Sequence, residues 1–218
     1  MQPITITAVA IGADPQAVCK AQTIPNDETL NIDGNAATDG VVDFPVPRRI
    51  VVRGLDASAE GVTITVTGTD QADAPQIETF RILTANVDVL GRLEYSTITE
   101  VRANIGGIGQ VQVGTSGVVG SNWARLDNWA IGPTNIQITS AGTANYTLQT
   151  TLDDPNDTVN PIDPDDVRWL PSTDTNVVNA TGNKQTKLDV NPIFVRLLVN
   201  SGVGTVSAKV VQTGGPVY

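Results

Sequence analysis

Residues 50–69, IVVRGLDASAEGVTITVTGT, decide the fold class of this chain. A short apolar run at 50–52 is followed by a turn at 56–61, and strict alternation then begins at Val62. Within 62–67 valine and isoleucine share one face and threonine shares the other, because successive side chains of a strand point to opposite sides. An apolar inward face with a threonine outward face is typical of a strand that covers a sandwich core.

The composition of the whole chain extends this pattern. Valine, threonine and isoleucine make up 72 of the 218 residues, whereas leucine accounts for 12. β-Branched side chains pack well on a pleated sheet and lose freedom in a helix. Together with 20 glycines and 13 prolines, this composition predicts an all-β fold of short strands. We expect one or two antiparallel β-sandwich modules, jelly-roll or immunoglobulin-like, with an extended N-terminal segment.

Small flexible residues at 114–117 mark the predicted domain boundary. We assign 1–40 to an N-terminal strand and arm that belongs to the first module. The first sandwich is then 41–117 and the second is 118–218. Within the second module, the turn residues at 140–143 predict a hairpin between the strands on either side.

The residue types that the chain lacks exclude several classes of function. The chain has no histidine, which removes Ser-His-Asp and Cys-His catalysis and histidine metal ligation. The single cysteine, Cys19, excludes an internal disulfide and a cysteine-based zinc site. The net charge of −10 repels phosphate backbones and anionic lipid headgroups. We therefore expect no enzyme, no cofactor, and neither nucleic acid nor membrane as a partner.

Six aspartates within fourteen residues form the most conspicuous polar cluster: Asp153, Asp154, Asp157, Asp163, Asp165 and Asp166. Carboxylate oxygens are calcium ligands, which makes these residues candidates for a calcium site. The spacing lacks the turn glycine and the closing glutamate of an EF-hand loop. A solvated acidic loop stiffened by prolines is the favoured interpretation, and no metal is predicted.

Tryptophan and paired arginine are the candidate interface residues. Trp123, Trp129 and Trp169 all lie in the second half of the chain, and tryptophan suits sites that are apolar on one side and polar at the indole N–H. The same residues serve equally well as plugs at the ends of a sandwich. Arg48 and Arg49 offer charge to an acidic partner, or form a solvated entry to a strand.

Several segments together resemble a pattern common in virion proteins of tailed bacteriophages. The segments are 30–34, 50–52, 62–70 with the following Glu78-Thr79 pair, 123–127 and 145–155. The resemblance covers most of 25–211. It departs at 71–75, where related chains carry a glycine turn.

This resemblance implies an accessory structural protein of the virion, of the capsid decoration or cement type. Such proteins are similar to β-sandwiches that sit as oligomers on the outer capsid lattice and bridge its subunits. We accordingly expect a homo-oligomer located in the virion, made in the host cytoplasm, with the major capsid protein and copies of itself as partners. A neck, tail or head-fibre component and a host-surface carbohydrate-binding module are the alternatives.

Overall fold

The computed structural model describes residues 3–71, 73–127, 133–163, 166–188 and 191–212. Within these ranges it holds sixteen β-strands and two single-turn 3₁₀ segments, Ala57–Ala59 and Thr175–Val177. The all-β, sandwich-type prediction is confirmed. In the same ranges no helix has the length and apolar character that crossing a membrane requires.

In chain order the strands are β1 (Ile4–Ala10), β2 (Asp14–Thr23), β3 (Ala37–Thr38), β4 (Val41–Gly54), β5 (Thr63–Thr69), β6 (Pro75–Arg81), β7 (Asp88–Ala103), β8 (Gln110–Gly120), β9 (Ala124–Arg125), β10 (Thr134–Gly142), β11 (Asn145–Thr151), β12 (Leu170–Pro171), β13 (Ala180–Thr181), β14 (Lys184–Leu188), β15 (Phe194–Ser201) and β16 (Gly204–Gln212). They form two compact units. One is Gly12–Val118, and the other combines Met1–Ile11 with Val119–Tyr218.

The unit Gly12–Val118 is built on an antiparallel sheet in the order β8-β4-β7-β5-β6, with β2 paired to β8 and β3 paired to β4. Strand β5 behaves as its alternation predicts: Ile64 and Val66 are fully buried, while the threonines between them are half-buried. The long strands β4 and β7 carry register shifts between Asp43 and Arg48 and between Arg49 and Val51. Such irregularities bend strands, which lets a single sheet wrap around its own core.

The other unit contains a four-stranded antiparallel sheet in the order β1-β16-β10-β14. Its strands alternate cleanly between buried and exposed side chains, so one face is apolar and covered while the opposite face is polar. In the same unit β15 pairs with β11 and β9, and β11 also pairs with β12 and β13. Strand β15 is buried over six consecutive residues, Phe194 to Val199.

The structure divides the start of the chain differently from the sequence-based assignment. Residues 1–40 were expected in the first module, but β1 pairs along its length with β16, from Ile4 opposite Val210 to Ala10 opposite Gly204. The amphipathic pattern of β1 predicts a strand with one buried face, and any covered sheet satisfies that pattern. Pattern alone therefore does not choose the partner strand.

The predicted hairpin at 140–143 is wrong. Strand β10 pairs with β16 and β14, whereas β11 pairs with β15, β12 and β13, so the turn carries the chain from one sheet to another. Gly142 has φ +87, and a Cβ atom added to it would clash with the carbonyl oxygen of Val203. A glycine is therefore required here by close backbone approach as well as by its left-handed conformation.

Candidate interaction site

An aromatic cluster lies in the unit that contains β9, β12 and β15. The rings of Trp123 and Trp169 meet edge to face, with centroids 5.0 Å apart and planes at 67°. Trp123 also meets Phe194 edge to face at 5.9 Å. These separations are those at which aromatic pairs add to the stability that burial supplies. Both tryptophans remain half-buried, so the cluster reaches the surface.

Two arginines are packed on these rings. The guanidinium of Arg196 lies 4.3 Å from the ring centroid of Trp169, and its Nε donates to Oε1 of Gln149 at 2.8 Å. Arg196 is only 4 % exposed, so its charge is held by the ring face and the amide instead of by bulk water. Arg125 lies 5.6 Å from the Phe194 centroid. The guanidinium of Arg196 therefore covers one face of Trp169.

The acidic loop is joined to this cluster. Arg125 donates to Oδ2 of Asp154 at 2.6 Å, in a pair whose carboxylate side chain is 12 % exposed. Oδ2 of Asp153 accepts the backbone N–H of Arg168 at 2.7 Å, immediately before Trp169. These two aspartates therefore brace the aromatic cluster.

Asp157 and the backbone of Asp163 take part in local turns. Oδ1 of Asp157 accepts the backbone N–H groups of Val159 and Asn160, and these bonds hold the pKa of Asp157 below its usual range. The carbonyl of Asp163 accepts the N–H of Asp166 at 2.8 Å, while Asp165 lies outside the described residues. Within the described ranges no group of three or more carboxylates or thiols is arranged to hold a metal ion.

Two exposed leucines lie next to residues of the cluster in the sequence. Leu152 is 72 % exposed and directly precedes Asp153, and Leu170 is 65 % exposed and directly follows Trp169. We call Trp123, Leu152, Trp169 and Leu170 the tryptophan patch. Large apolar side chains grouped on the surface beside aromatic rings are typical of protein-binding sites.

The structure places the interface residues predicted from the sequence in different environments. Trp123 and Trp169 come together, whereas Trp129 lies outside the described residues. Arg48, in the other unit, is 6 % exposed and donates to the carbonyls of Gly12 at 2.7 Å and Ser116 at 3.3 Å. Burial lowers its pKa, with Asp14 acting in the opposite direction. Arg48 therefore joins two segments of its own chain by hydrogen bonds. This corrects the expectation that it faces a partner.

Arg49 is placed differently from its neighbour. Its guanidinium pairs with Glu94 at 3.0 Å, with 25 % of the arginine side chain exposed. Because adjacent residues of a strand point to opposite faces, one arginine of the pair turns inward and the other reaches the surface. Arg49 thus remains partly accessible, with its charge already balanced.

Arg125, Arg196 and Phe194 were not singled out from the sequence. Arg196 had a usable signal, since it interrupts the apolar run 194–199 and a charge within a buried strand needs a buried partner. The pairing of Trp123 with Trp169 had no such signal. The two residues are far apart in the chain and are joined only through the sheet that carries β9 and β12.

The buried ionisable groups are not prepared for nucleophilic chemistry. Burial raises the pKa of the Cys19 thiol to about 12, with a further contribution from Asp33. The hydroxyl of Tyr146 donates to the carbonyl of Gly182 at 2.9 Å, and burial raises its pKa to about 12. Both groups therefore stay protonated near neutral pH, and neither is a nucleophile there.

No protein-family model matches the chain, and the search of the curated proteins found no match.

Proposed function

We propose that this chain is a structural protein of a tailed-bacteriophage virion, which binds the assembled capsid lattice and stabilises it as a decoration protein. The observation that carries the proposal is the tryptophan patch, in which two half-buried tryptophans of an aromatic–arginine stack and two exposed leucines next to that stack in the sequence offer apolar side chains. The arginines of the stack have partners within the chain: Arg125 pairs with Asp154, and Arg196 donates to the neutral amide of Gln149. The patch gives a partner apolar side chains to pack against, and none of its four residues is a nucleophile or a general acid or base.

Stabilisation follows from mass action. A protein that binds the expanded shell and not its dissociated subunits shifts the equilibrium toward the shell by its binding free energy. Each contact can be modest, because many copies on one lattice add their contributions. The contacts within the aromatic–arginine stack support this role. Side chains that are already held in place lose less conformational freedom when a partner covers them.

The test uses capsid shells prepared without this protein, to which the purified chain is added back. We expect saturation at a number of copies comparable with the number of lattice positions, and a higher melting temperature for the coated shells. Particle imaging counts and locates the bound copies. Occupancy confined to one vertex would instead identify a neck, tail or head-fibre component, and absence of binding would refute a role on the shell.

The patch is tested by the double variant L152S/L170S, in which both substituted side chains are exposed and the fold is expected to persist. Burying a leucine contributes about 1.5–3 kcal/mol, so losing two at the contact weakens shell binding at least tenfold. The matched control is L83S/L90S, which removes two leucines of similar exposure, 71 % and 64 %, from the other unit. Equal binding by both variants would show that the tryptophan patch is not the contact.

A glycan screen addresses the carbohydrate-binding alternative. Sugar rings stack on open aromatic faces, and one face of Trp169 is covered by Arg196 at 4.3 Å. We therefore expect no binding of the isolated protein to glycans or host-cell surfaces. Specific glycan binding lost on substitution of Trp123 would replace the decoration proposal.

A further inference from the structure

Strand β6 forms the edge of its sheet. Among the described residues, β5 is the strand that pairs with β6, from Thr63 opposite Arg81 to Thr69 opposite Pro75. Every residue of β6 is described, and the side chains at its odd-numbered positions are exposed. An edge strand presents backbone N–H and C=O groups with which another strand can pair. The edge of β6 is therefore a candidate site for the addition of a strand.

Hydrogen bonds at both ends of the β5–β6 pair show which backbone groups of β6 face away from β5. The N–H of Ile82 donates to the carbonyl of Val62 at 2.9 Å, and the N–H of Asp70 donates to the carbonyl of Ala74 at 3.0 Å. In an antiparallel pair such bonds recur at every second residue, so the even-numbered residues of β6 bind β5. The backbone groups that face away from β5 belong to the odd-numbered residues Pro75, Ile77, Thr79 and Arg81.

The inward side chains of β6 are already fixed to β7. Nε2 of Gln76 donates to the carbonyl of Glu94 at 3.0 Å, and Oε1 of Glu78 accepts the N–H of Arg92 at 2.6 Å. An inward-pointing charge usually protects an edge, because an added strand would remove the water around it. Glu78 is only 9 % exposed and is already bound to the backbone, so an added strand takes little further water from it. Since β6 is held in place before pairing, it also loses little freedom on pairing.

We propose that β6 pairs antiparallel with β6 of a second copy of the chain, around a two-fold axis at Thr79. In this register Thr79 lies opposite Thr79 of the copy, and Ile77 lies opposite Arg81 of the copy. The outward N–H and C=O groups of all three residues then have partners in the other strand. Pro75, which has no N–H, lies outside the paired segment. A two-fold contact of this kind uses the same surface on both copies and closes as a dimer.

The charges of β6 fit a second copy as the occupant. The net charge of −10 makes two copies repel each other. β6 does not add to this repulsion, because it contains one acidic and one basic residue, Glu78 and Arg81. In the proposed register Glu78 lies opposite Phe80 of the copy, so like charges are not opposite each other. On the outer face the aliphatic stem of Arg81 covers Ile77 of the copy, a residue that is 61 % exposed in the single chain.

The length of the paired segment sets the expected strength. Residues 77–81 span about 17 Å at about 3.4 Å each, and an edge about 10 Å thick offers roughly 170 Å². A stable dimer usually buries about 800 Å² on each partner, so the dimer is weak in solution. Copies held side by side on a surface pair more readily, because their effective concentration is higher. β6 and the tryptophan patch belong to different units, so pairing and shell binding are measured separately.

Sedimentation velocity of the purified chain, from about 1 µM to about 1 mM, measures the pairing directly. We expect a reversible monomer–dimer equilibrium for the wild type. T79P removes an N–H that β5 does not bind, and proline is tolerated at such a position of an edge strand. We expect T79P to weaken dimerisation by about tenfold, because the hydrogen bonds from Thr79 across the axis are lost. The control T79A keeps the N–H and changes dimerisation by less than about threefold.

Charge variants of the exposed Thr79 test the occupant and the register without changing the backbone. T79K and T79E each place like charges opposite each other across the axis, so each alone stays monomeric. An equimolar mixture of the two forms heterodimers, because lysine then lies opposite glutamate. The controls T99K and T99E make the same changes at an exposed threonine of β7, and each still dimerises alone.

Three results would overturn the proposal. A wild-type chain that stays monomeric across the whole concentration range refutes the pairing. Equal dimerisation by T79P and T79A shows that the edge of β6 is not the contact. A mixture of T79K and T79E that stays monomeric refutes a two-fold axis at Thr79.

Discussion

A buried carboxylate that binds the backbone of a strand two places away in the sheet order gives the sharpest test of the fold. Glu78 of β6 is 9 % exposed, and its Oε1 accepts the N–H of Arg92 in β7 at 2.6 Å. Its Oε2 accepts the N–H of Leu93 at 3.4 Å, a much weaker bond. The side chain lies over Gly91, whose Cβ position would be 2.6 Å from Oε2. Glu78 therefore supplies acceptors to a stretch of β7 and fills the space above its glycine.

The magnitude follows from these contacts. Hydrogen bonds to a charged group contribute about 1.5–3 kcal/mol, and a buried donor left without an acceptor costs about 1–3 kcal/mol. Arg92 is exposed, so water replaces part of the lost bond. We expect E78A to lower the free energy of unfolding by about 2–3 kcal/mol. E78Q keeps one acceptor oxygen and is expected to cost about 1 kcal/mol. The control E100Q, at an exposed position of β7, stays within about 0.5 kcal/mol of wild type.

Urea unfolding followed by circular dichroism measures these differences as shifts in midpoint at an unchanged slope. Hydrogen exchange supplies a local reading, since the amides of Arg92 and Leu93 should exchange faster in E78A than in E100Q. G91A is destabilising alone, and its cost should shrink in the E78A background because the closest contact of the new methyl group is gone. Stability of E78A within about 0.5 kcal/mol of wild type, with unchanged exchange at both amides, would refute the role assigned to Glu78.

Four further outcomes are expected. The hydroxyl of Thr186 and the N–H of Asn176 hold the pKa of Asp174 below its usual range. The stability that ionised Asp174 adds is therefore present above the unfolded pKa and is lost as pH falls through the lower folded pKa. In D174N the free energy of unfolding should fall less steeply with decreasing pH below about pH 4. Cys19 should resist a thiol reagent at about pH 8 and react once urea unfolds the chain, whereas rapid labelling of the native protein would contradict its burial. EDTA should leave the melting temperature unchanged, since the described aspartates of the acidic loop are used for turns and an ion pair; a lower melting temperature restored by calcium would reinstate the calcium site. The fragment 12–118 should fold alone, because its core cluster lies within it, and a disordered spectrum by nuclear magnetic resonance would contradict that.

Strand type could be predicted from the sequence where alternation was strong. From the segment 62–67, residues 63–67 fold within strand β5, and the aliphatic side chains of Val62, Ile64 and Val66 are all buried, as the pattern requires. Strand β6 shows where the pattern fails: Gln76 and Glu78 are buried while Ile77 between them is 61 % exposed. Polarity alone would favour the opposite orientation. The reason is that both polar side chains bind backbone groups of β7, and this need becomes visible only when the two strands are placed together.

The candidate site could be predicted only as a set of residue types. Tryptophan and arginine were recognised as residues suited to an interface, but the sequence did not reveal that Trp169 lies on Arg196 or that Arg125 joins the acidic loop. Arg48 and Arg49 show the same limit. Adjacent positions on a strand face opposite ways, and only the sheet decides which of them is buried. Residue types thus indicated which side chains suit an interface, whereas the pairing of the strands determined which of these side chains reach the surface.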